Sequence, residues 1–429
     1  MKNILLLGAT GSIGTSVLSV IKQNKEKLNL YGIAQESNID KALAISKDFS
    51  PKYIYFNEKH NLPDCEFLDK KTKLLFEKEE LETLINDPNI DYIVSAISGF
   101  AGLESTLMAA KTGKKILLAN KESIVVAGEL IIPIAEHYQS KIIPIDSEHN
   151  AIFQCLDDDK NIDDVSKIII TASGGPFVYK DLKDLVNVTK SEALKHPNWN
   201  MGSKISIDSA TLVNKCLELI EARYLFNLNE KYFQLVIHPE SIIHSIVTYK
   251  DGSSISQMSN PDMKVPIANA FSDNKRLHIN FEEINFSDLN LSFKNFPEDR
   301  KFLEDMAREI CNLGGLSGTT FNASNEIAVE SFLKDQIKFY QIYDVICRTF
   351  ESVSMSNDIS IESIYEMDKL TRIEAKKVVK SISYLIKLSG QDQMWIHQAV
   401  SIASKKIHSP ASELFFSGIL CNMLECLSI

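Results

Sequence analysis

Three carboxylates define the chemistry this sequence could do. Asp146 and Glu148 stand two apart in PIDSEHN, residues 144–150, and Glu218 closes the run GSKISIDSATLVNKCLE, residues 202–218. Hard carboxylate oxygens suit Mg²⁺ or Mn²⁺, and three of them leave coordination positions for a substrate. An isolated D-x-E is ordinarily a solvated acidic turn, so the second run gives the first its weight. If KIIPI, residues 141–145, is a strand, residues two apart at its end point to one side, towards the carboxyl edge of a sheet. In the second run Asn214, Glu218 and Glu221 share one face of a helix, with Lys215 beside them. Leu212, Cys216, Leu219 and Ile220 fall on the apolar side. The pattern predicts one long helix over about 209–226, capped by Asp208 or Ser209. An ordinary surface helix would look similar. Asn214 and Lys215, near Ser209, could instead clasp a phosphate at the helix start.

Two further stretches carry polar groups suited to an anionic substrate. TASGGPF, residues 171–177, reads as a strand followed by a Ser173-Gly-Gly turn whose amides are free for an anion, although a plain turn would look the same. HPNWNMG, residues 196–202, places His196 and Trp199 between hinge-like Pro and Gly. That composition suits a lid over about 196–203 that excludes water; His196 alone could equally be a satisfied surface histidine. His238 and His244 are six apart in IHPESIIHSIV and would share a face of one strand.

GATGSIG, residues 8–14, follows the apolar run Ile4–Leu7 and opens a helical pattern over Ser12–Gln23. Glycines there let the backbone turn tightly and approach a pyrophosphate, which the first helical amides bind. The cofactor's ribose should meet residues 35–38, at the end of the second strand. Glu36 lies 22 residues after Gly14, where an acid usually reads an unphosphorylated 2′-hydroxyl, and no Arg or Lys sits in that turn. Glu36 pointing to solvent is an equally simple reading.

These motifs need a frame. The chain has 429 residues, enough for two or three domains each with its own core. Strand-like runs at 28–34, 92–97, 115–119 and 141–145 alternate with helical patterns, which implies a mostly parallel sheet. The expected fold is α/β: a Rossmann-like dinucleotide-binding domain over 1–150, a central α/β catalytic domain over 151–280, a connector over 281–300 and a helical domain over 301–386. The whole stretch 252–300 reads as loop-rich. A tail over 387–429 ends in the apolar LFFSGILCNMLECLSI, read as an extra helix against the protein or a second subunit. Net charge is −11, which argues against broad nucleic-acid binding and leaves an anionic substrate to local donors. Seven cysteines without a CxxC pair imply reduced thiols in a cytoplasmic compartment. A strand at residue 4 leaves no room for a leader, and no uncharged run reaches the roughly 18 residues of a membrane span.

In order, GATGSIG, LLANKESIV (117–125), PIDSEHNAIFQ (144–154), TASGGPF, HPNWNMGSKISIDSATLVNKCLELIEA, IHPESIIHSIV, NPDMKVPI (260–267) and NASNEIAVESFL (322–333) resemble the 1-deoxy-D-xylulose 5-phosphate reductoisomerase family from residue 1 to about Ala375. The resemblance implies isomerisation of 1-deoxy-D-xylulose 5-phosphate by retro-aldol cleavage and re-addition. Reduction with NADPH to 2-C-methyl-D-erythritol 4-phosphate, on the non-mevalonate isoprenoid route, then follows. It also implies roles. Asp146, Glu148 and Glu218 hold Mg²⁺ or Mn²⁺, which acts as a Lewis acid. Lys121 and Ser147 contact the substrate backbone, and Ser173, Ser209, Asn214 and Lys215 grip its phosphate. His196 and Trp199 belong to the lid. Lys121, Glu148, His196 and Glu218 form the catalytic set. Thr10, Gly11, Ser12, Ile13, Glu36, Ser37, Asn38, Asn120, Glu122 and Gly202 lie along the cofactor. A homodimer is implied by the family alone.

Two features depart from the family pattern. Glu36-Ser37-Asn38 replaces a turn that is commonly Gly, then a basic or small residue, then Asn. Glu36 facing a 2′-phosphate would repel it, so the expectation is NADPH use with weakened discrimination against NADH. The tail beyond about Lys387 has no counterpart. Two alternatives are a homoserine dehydrogenase-like NADP oxidoreductase, which leaves the three carboxylates without a task, and a non-enzymatic nucleotide-sensing module, which needs neither lid nor carboxylates.

Overall fold

The computed structural model describes residues 1–36, 38–57, 71–156, 162–199, 201–272, 275–354 and 358–389. Ser37 and the tail over 390–429, with the extra helix expected at its end, lie outside the described residues.

Seven strands form the first sheet: β1 (Lys2–Leu7), β2 (Leu28–Gln35), β3 (Tyr53–Phe56), β4 (Lys73–Leu75), β5 (Tyr92–Ser95), β6 (Lys115–Leu118) and β7 (Lys141–Pro144). Their order is β4-β3-β2-β1-β5-β6-β7, all parallel. Side chains alternate across a strand, so Ile4 and Leu6 enter the core on one face while Leu5 and Leu7 enter the core on the other. All four are fully buried, which is why β1 reads as an unbroken apolar run. Strand order reverses between β1 and β5. A crevice opens there at the carboxyl ends, the usual ligand position in an open α/β sheet.

The second sheet contains β8 (Val165–Ala172), β9 (Phe233–Ile237), β10 (Ile243–Tyr249), β11 (Ser254–Met258) and β12 (Lys294–Asn295), in the order β11-β10-β8-β9-β12. Only β8 and β9 pair in parallel, and the crossover between them carries the Glu218 helix. Helices Lys301–Leu313, Ser317–Leu333, Gln341–Ser352 and Ile361–Ser389 follow. Ser317–Leu333 is almost wholly buried because it packs between helices Gln341–Ser352 and Ile361–Ser389 and helix Lys121–His137. A Cβ on Gly318 would collide with the Val125 carbonyl, so glycine sets this close approach. Thr319 Oγ1 donates to the Val126 carbonyl at 3.2 Å.

Several sequence expectations need correction. The expected helix over 209–226 is two helices, Ser203–Thr211 and Val213–Leu225, joined at Leu212 with φ +67°. Asp208 and Ser209 therefore lie inside the first helix and cap nothing. Asp146 and Glu148 are not on a strand end. β7 stops at Pro144, Asp146 caps helix Ser147–Cys155, and Glu148 sits in that helix's first turn. His238 and His244 are not on one strand either, because β9 ends at Ile237 and β10 starts at Ile243. The stretch 252–300 holds β11 and helix Lys264–Ala270, which packs on helix Ser12–Gln23. The last helix of the expected helical domain is long, Ile361–Ser389.

Candidate active site

The dinucleotide loop is built almost entirely from main chain. Gly8 has φ +87°, and a Cβ there would stand 2.5 Å from the Ala96 carbonyl of the neighbouring strand end. A Cβ on Gly14 would collide with Ala9, so the helix starts directly against the loop. Gly11 caps helix Ser12–Gln23 without a side-chain bond, and the first turn has no acid. Its first amides are thus open to an anion.

Asn120 ties this end together. Its Nδ2 donates to the carbonyls of Ile97 (2.6 Å) and Gly99 (3.0 Å), and its Oδ1 accepts from Ser123 N at 3.0 Å, capping helix Lys121–His137. Glu122 Oε1 meets Lys204 Nζ at 2.9 Å. Lys204 also meets Asp208 Oδ2 at 2.8 Å, and Asn325 Nδ2 donates to Asp208 Oδ1 at 2.9 Å. Asp208, Glu122 and Lys204 thus fix the helix that follows the lid.

At the other end of the same cleft, Asp146, Glu148 and Glu218 each present an oxygen within 4.8 Å of the others. Asp146 Oδ2 meets Lys121 Nζ at 2.6 Å, and Glu148 Oε1 meets Lys215 Nζ at 2.7 Å. Glu218 is fully buried and receives Lys121 Nζ at 3.0 Å, Asn214 Nδ2 at 2.6 Å and the Lys215 ammonium. Ser147 Oγ donates to Glu148 Oε2 at 2.6 Å. Burial and the neighbouring Asp146 and Glu148 charges push the Glu218 carboxyl up to about 7. Burial also works against an ionised Asp146. Lys121, His149 and Lys215 outweigh it and hold that carboxyl well below the usual carboxylate range. Burial alone would discharge Lys121, but Asp146, Glu218 and Glu221 keep it protonated. Three carboxylates this close, balanced here by the ammoniums of Lys121 and Lys215 and by His149, fit a divalent cation.

The lid residues form a bonded loop. His196 Nδ1 accepts the amides of Asn198 (3.1 Å) and Trp199 (3.0 Å), so Nε2 carries the hydrogen and donates to Ser173 Oγ at 2.9 Å. Burial lowers the His196 pKa to about 4, leaving the ring neutral at pH 7. Asn198 Nδ2 reaches the Pro239 carbonyl at 2.6 Å, and the Trp199 ring meets His244 edge-on at 6.0 Å. Gly175 has φ +64° and abuts Ser209, which brings the Ser173 turn onto helix Ser203–Thr211.

A cavity of about 320 Å³ joins both ends. It brings together Gly11, Ser12, Ile13, Asn120, Lys121, Glu122, Asp146, Ser147, Glu148, Ser173, His196, Trp199, Gly202, Ser209, Asn214, Lys215 and Glu218. Thr10, Glu36 and Asn38 do not line it. Glu36 is exposed, and Asn38 spends its side-chain oxygen capping helix Ile39–Phe49. His244 lines the cavity, whereas His238 is used up structurally: Nδ1 donates to the Ser292 carbonyl and Nε2 accepts the amides of Ile242 and Ile243.

Sequence reasoning missed three groups. His149 is fully buried, with Nε2 on the Glu218 carbonyl at 3.0 Å and Nδ1 2.9 Å from Glu221 Oε2. Burial opposes its charge, but Glu221 raises its pKa to about 9. Glu221 on the Glu218 face was the available signal. The Lys204–Asp208–Asn325 link had none, because Asn325 arrives from a distant helix. Lys41 reaches back to the dinucleotide loop, where Nζ lies 2.6 Å from the Thr10 carbonyl.

Fold and site together define a Rossmann-type, dinucleotide-dependent oxidoreductase with a carboxylate centre for a metal-held substrate. Residues 4–128 match the profile of 1-deoxy-D-xylulose 5-phosphate reductoisomerase, residues 142–226 that of its C-terminal domain, and residues 258–374 that of a further DXP reductoisomerase C-terminal domain. The chain is 44% identical over 377 residues to the 1-deoxy-D-xylulose 5-phosphate reductoisomerase of Clostridium tetani, covering 86% of this chain and 97% of that protein. It is 41% identical over 400 residues to the Acinetobacter baumannii protein of that name, covering 89% and 99%. A crystal structure of DOX-P reductoisomerase in complex with NADPH, fosmidomycin and magnesium superposes with a TM-score of 0.82 at 39% identity, over 89% of this chain and 98% of that one. The Zymomonas mobilis enzyme in complex with NADPH gives 0.82 at 36%, over 89% and 99%. This chain belongs to the 1-deoxy-D-xylulose 5-phosphate reductoisomerase family.

Proposed function

We propose that this protein converts 1-deoxy-D-xylulose 5-phosphate to 2-C-methyl-D-erythritol 4-phosphate, using NADPH and Mg²⁺ or Mn²⁺, in isoprenoid precursor synthesis. The observation that carries this is one cavity running from the bare helix start at Gly11–Ile13 to the carboxylates of Asp146, Glu148 and Glu218. The NADPH, fosmidomycin and magnesium complex of a 39% identical relative supports both groups. Bound at the trio, the cation supplies Lewis acidity towards the substrate's ketone and hydroxyl oxygens, and NADPH supplies the hydride.

The chain's own residues do the rest. Glu218, Glu148 and Asp146 hold the cation. Lys121 and Lys215 give the carboxylates their counter-charge in this structure. With a cation held by the carboxylates, Lys121 would be available to the substrate hydroxyls and Lys215 to its phosphate. Ser173, Ser209 and Asn214 complete the phosphate grip, and Ser147 orients the carbon chain beside Glu148. Neutral His196 donates from Nε2, and Trp199 shields the reacting carbons from water. Thr10, Gly11, Ser12 and Ile13 follow the pyrophosphate, while Asn120, Glu122 and Gly202 border the nicotinamide end.

In this reading residues 1–150 bind the dinucleotide and 151–280 bind metal and substrate, with 196–203 as lid. Residues 281–300 connect, and 301–386 buttress the cleft. A cytoplasmic homodimer belongs to the same reading. Cys216, Cys311 and Cys347 are unbridged thiols, and Phe281 and Phe286 stand 59% and 68% exposed on the connector. Among the described residues no helix is long and apolar enough to cross a membrane.

The test is NADPH oxidation, followed by absorbance, with 1-deoxy-D-xylulose 5-phosphate and Mn²⁺, then with EDTA. Oxidation that EDTA abolishes is the expected result. A folded, NADPH-binding protein that leaves the substrate unchanged would overturn the proposal.

A further inference from the structure

Glu36 occupies the turn where a 2′-phosphate would be read, yet the cleft sits in a family whose relatives are solved with NADPH. A cation outside that turn resolves the conflict. Lys41 lies in the first turn of helix Ile39–Phe49, immediately after β2. Its side chain runs back across the crevice to the loop after β1, where Nζ lies 2.6 Å from the Thr10 carbonyl and 3.3 Å from Thr15 Oγ1. Thr15 Oγ1 is held in turn by its bond to the Gly11 carbonyl at 2.9 Å.

That crevice, between the carboxyl ends of the first two strands, is where the adenosine ribose of a dinucleotide rests in this fold. The ammonium bridges the two segments that form it. Both partners are neutral oxygens, and among the described residues no carboxylate pairs with Lys41. An exposed ammonium held only by a carbonyl and a hydroxyl readily exchanges them for a phosphate carrying about −1.5 to −2 charge. Asn38 caps the same helix by accepting from Lys41 N at 3.1 Å, which fixes the backbone from which the side chain reaches. The nearby acids, Glu36 and Asp40, are exposed and make no ion pair with it.

We propose that Lys41 reads the 2′-phosphate of NADPH and so sets cofactor choice despite Glu36. This rests on the NADPH reading above and deepens it. Discrimination against NADH is then strong, contrary to what the Glu36 turn alone implies.

The experiment is calorimetric titration of the wild-type protein, K41Q, K41R and E36Q with NADPH, NADH and 2′,5′-ADP. K41Q is expected to weaken NADPH and 2′,5′-ADP about 10- to 100-fold while NADH stays within about twofold, since only the phosphorylated ligands lose a charged partner. K41R should keep most of the NADPH affinity, and E36Q should change the NADPH-to-NADH ratio by less than about fivefold, as expected for a solvated charge. Equal weakening of NADPH and NADH in K41Q would overturn the proposal, because Lys41 would then merely prop the Thr10 loop. So would an unchanged NADPH affinity in K41Q. Failure of the wild-type protein to bind either dinucleotide would instead overturn the cofactor reading, and this inference with it.

Discussion

The two ends of the cleft recognise anions by opposite means. Around Gly8–Gly14 the work falls to backbone amides and to the absence of side chains. Around Glu218 it falls to buried ionisable groups, with Lys121, Lys215 and His149 set against Asp146, Glu148, Glu218 and Glu221. The first end should tolerate a change of charge better than an added methyl. The second should tolerate an isosteric change of shape far better than a lost charge.

The largest expected effect comes from Gly14→Val. Its branched side chain has nowhere to go against Ala9, so NADPH affinity should fall more than about 100-fold, with a stability loss of about 3 kcal/mol or more. Calorimetry and thermal melting would measure both, and near-normal binding would break the contrast. Next is Glu218→Gln, nearly the same shape without the charge. Turnover should drop about 10²- to 10³-fold while the NADPH Kd stays put. A near-normal rate would remove Glu218 from the metal site.

Asp344 sharpens the comparison from outside the cleft. Burial pushes its pKa from 3.8 up to about 6, against the nearby Arg348. A group raised on folding contributes its stability below its unfolded pKa and loses it as pH rises through the folded value. At pH 7 the ionised Asp344 is therefore a burden, and Asp344→Asn should stabilise the fold by about 1 kcal/mol, discounted for partial exposure. The gain should vanish near pH 4. Denaturant melts at both pH values would check it, and a loss of stability at pH 7 would show that a partner holds the charge.

The smallest effect is at His196. Its pKa falls from 6.5 to about 4 on folding, so its contribution is present above 6.5 and is lost as pH falls through 4. Protonation removes the acceptor for the Asn198 and Trp199 amides, and the lid should loosen. Indole fluorescence, compared with Trp199→Phe, should report a transition near pH 4 that the variant lacks.

The legible parts of this molecule were those encoded locally. GATGSIG is a strand, a turn and a helix start within a few residues, and the apolar runs of β1, β5 and β6 needed no partner to be recognised. The three carboxylates were legible as chemistry but not as geometry. Asp146 and Glu148 share a side because one caps a helix and the other lies in its first turn, not because of a strand's pleat. The break at Leu212 was invisible, since a leucine at positive φ is imposed by packing rather than preferred by sequence. His149 with Glu221, and Asp208 with Asn325, depend on segments that meet only after folding. Lys41 was not legible because it lies outside the turn, and only the reach of its side chain brings it to the Thr10 loop.

Helix Ser317–Leu333 touches both halves of the cleft, through Thr319 on Val126 and Asn325 on Asp208. The order of synthesis therefore matters. A nascent chain can emerge with its dinucleotide loop, metal carboxylates and lid all translated and still lack the strut that seats them. Until the ribosome has passed residue 333, Asp208 has no Asn325 and Gly318 does not yet press on Val125. In such a chain helix Lys121–His137 and Asp208 still lack the partners that hold them in the folded protein, so the two halves of the cleft are joined late.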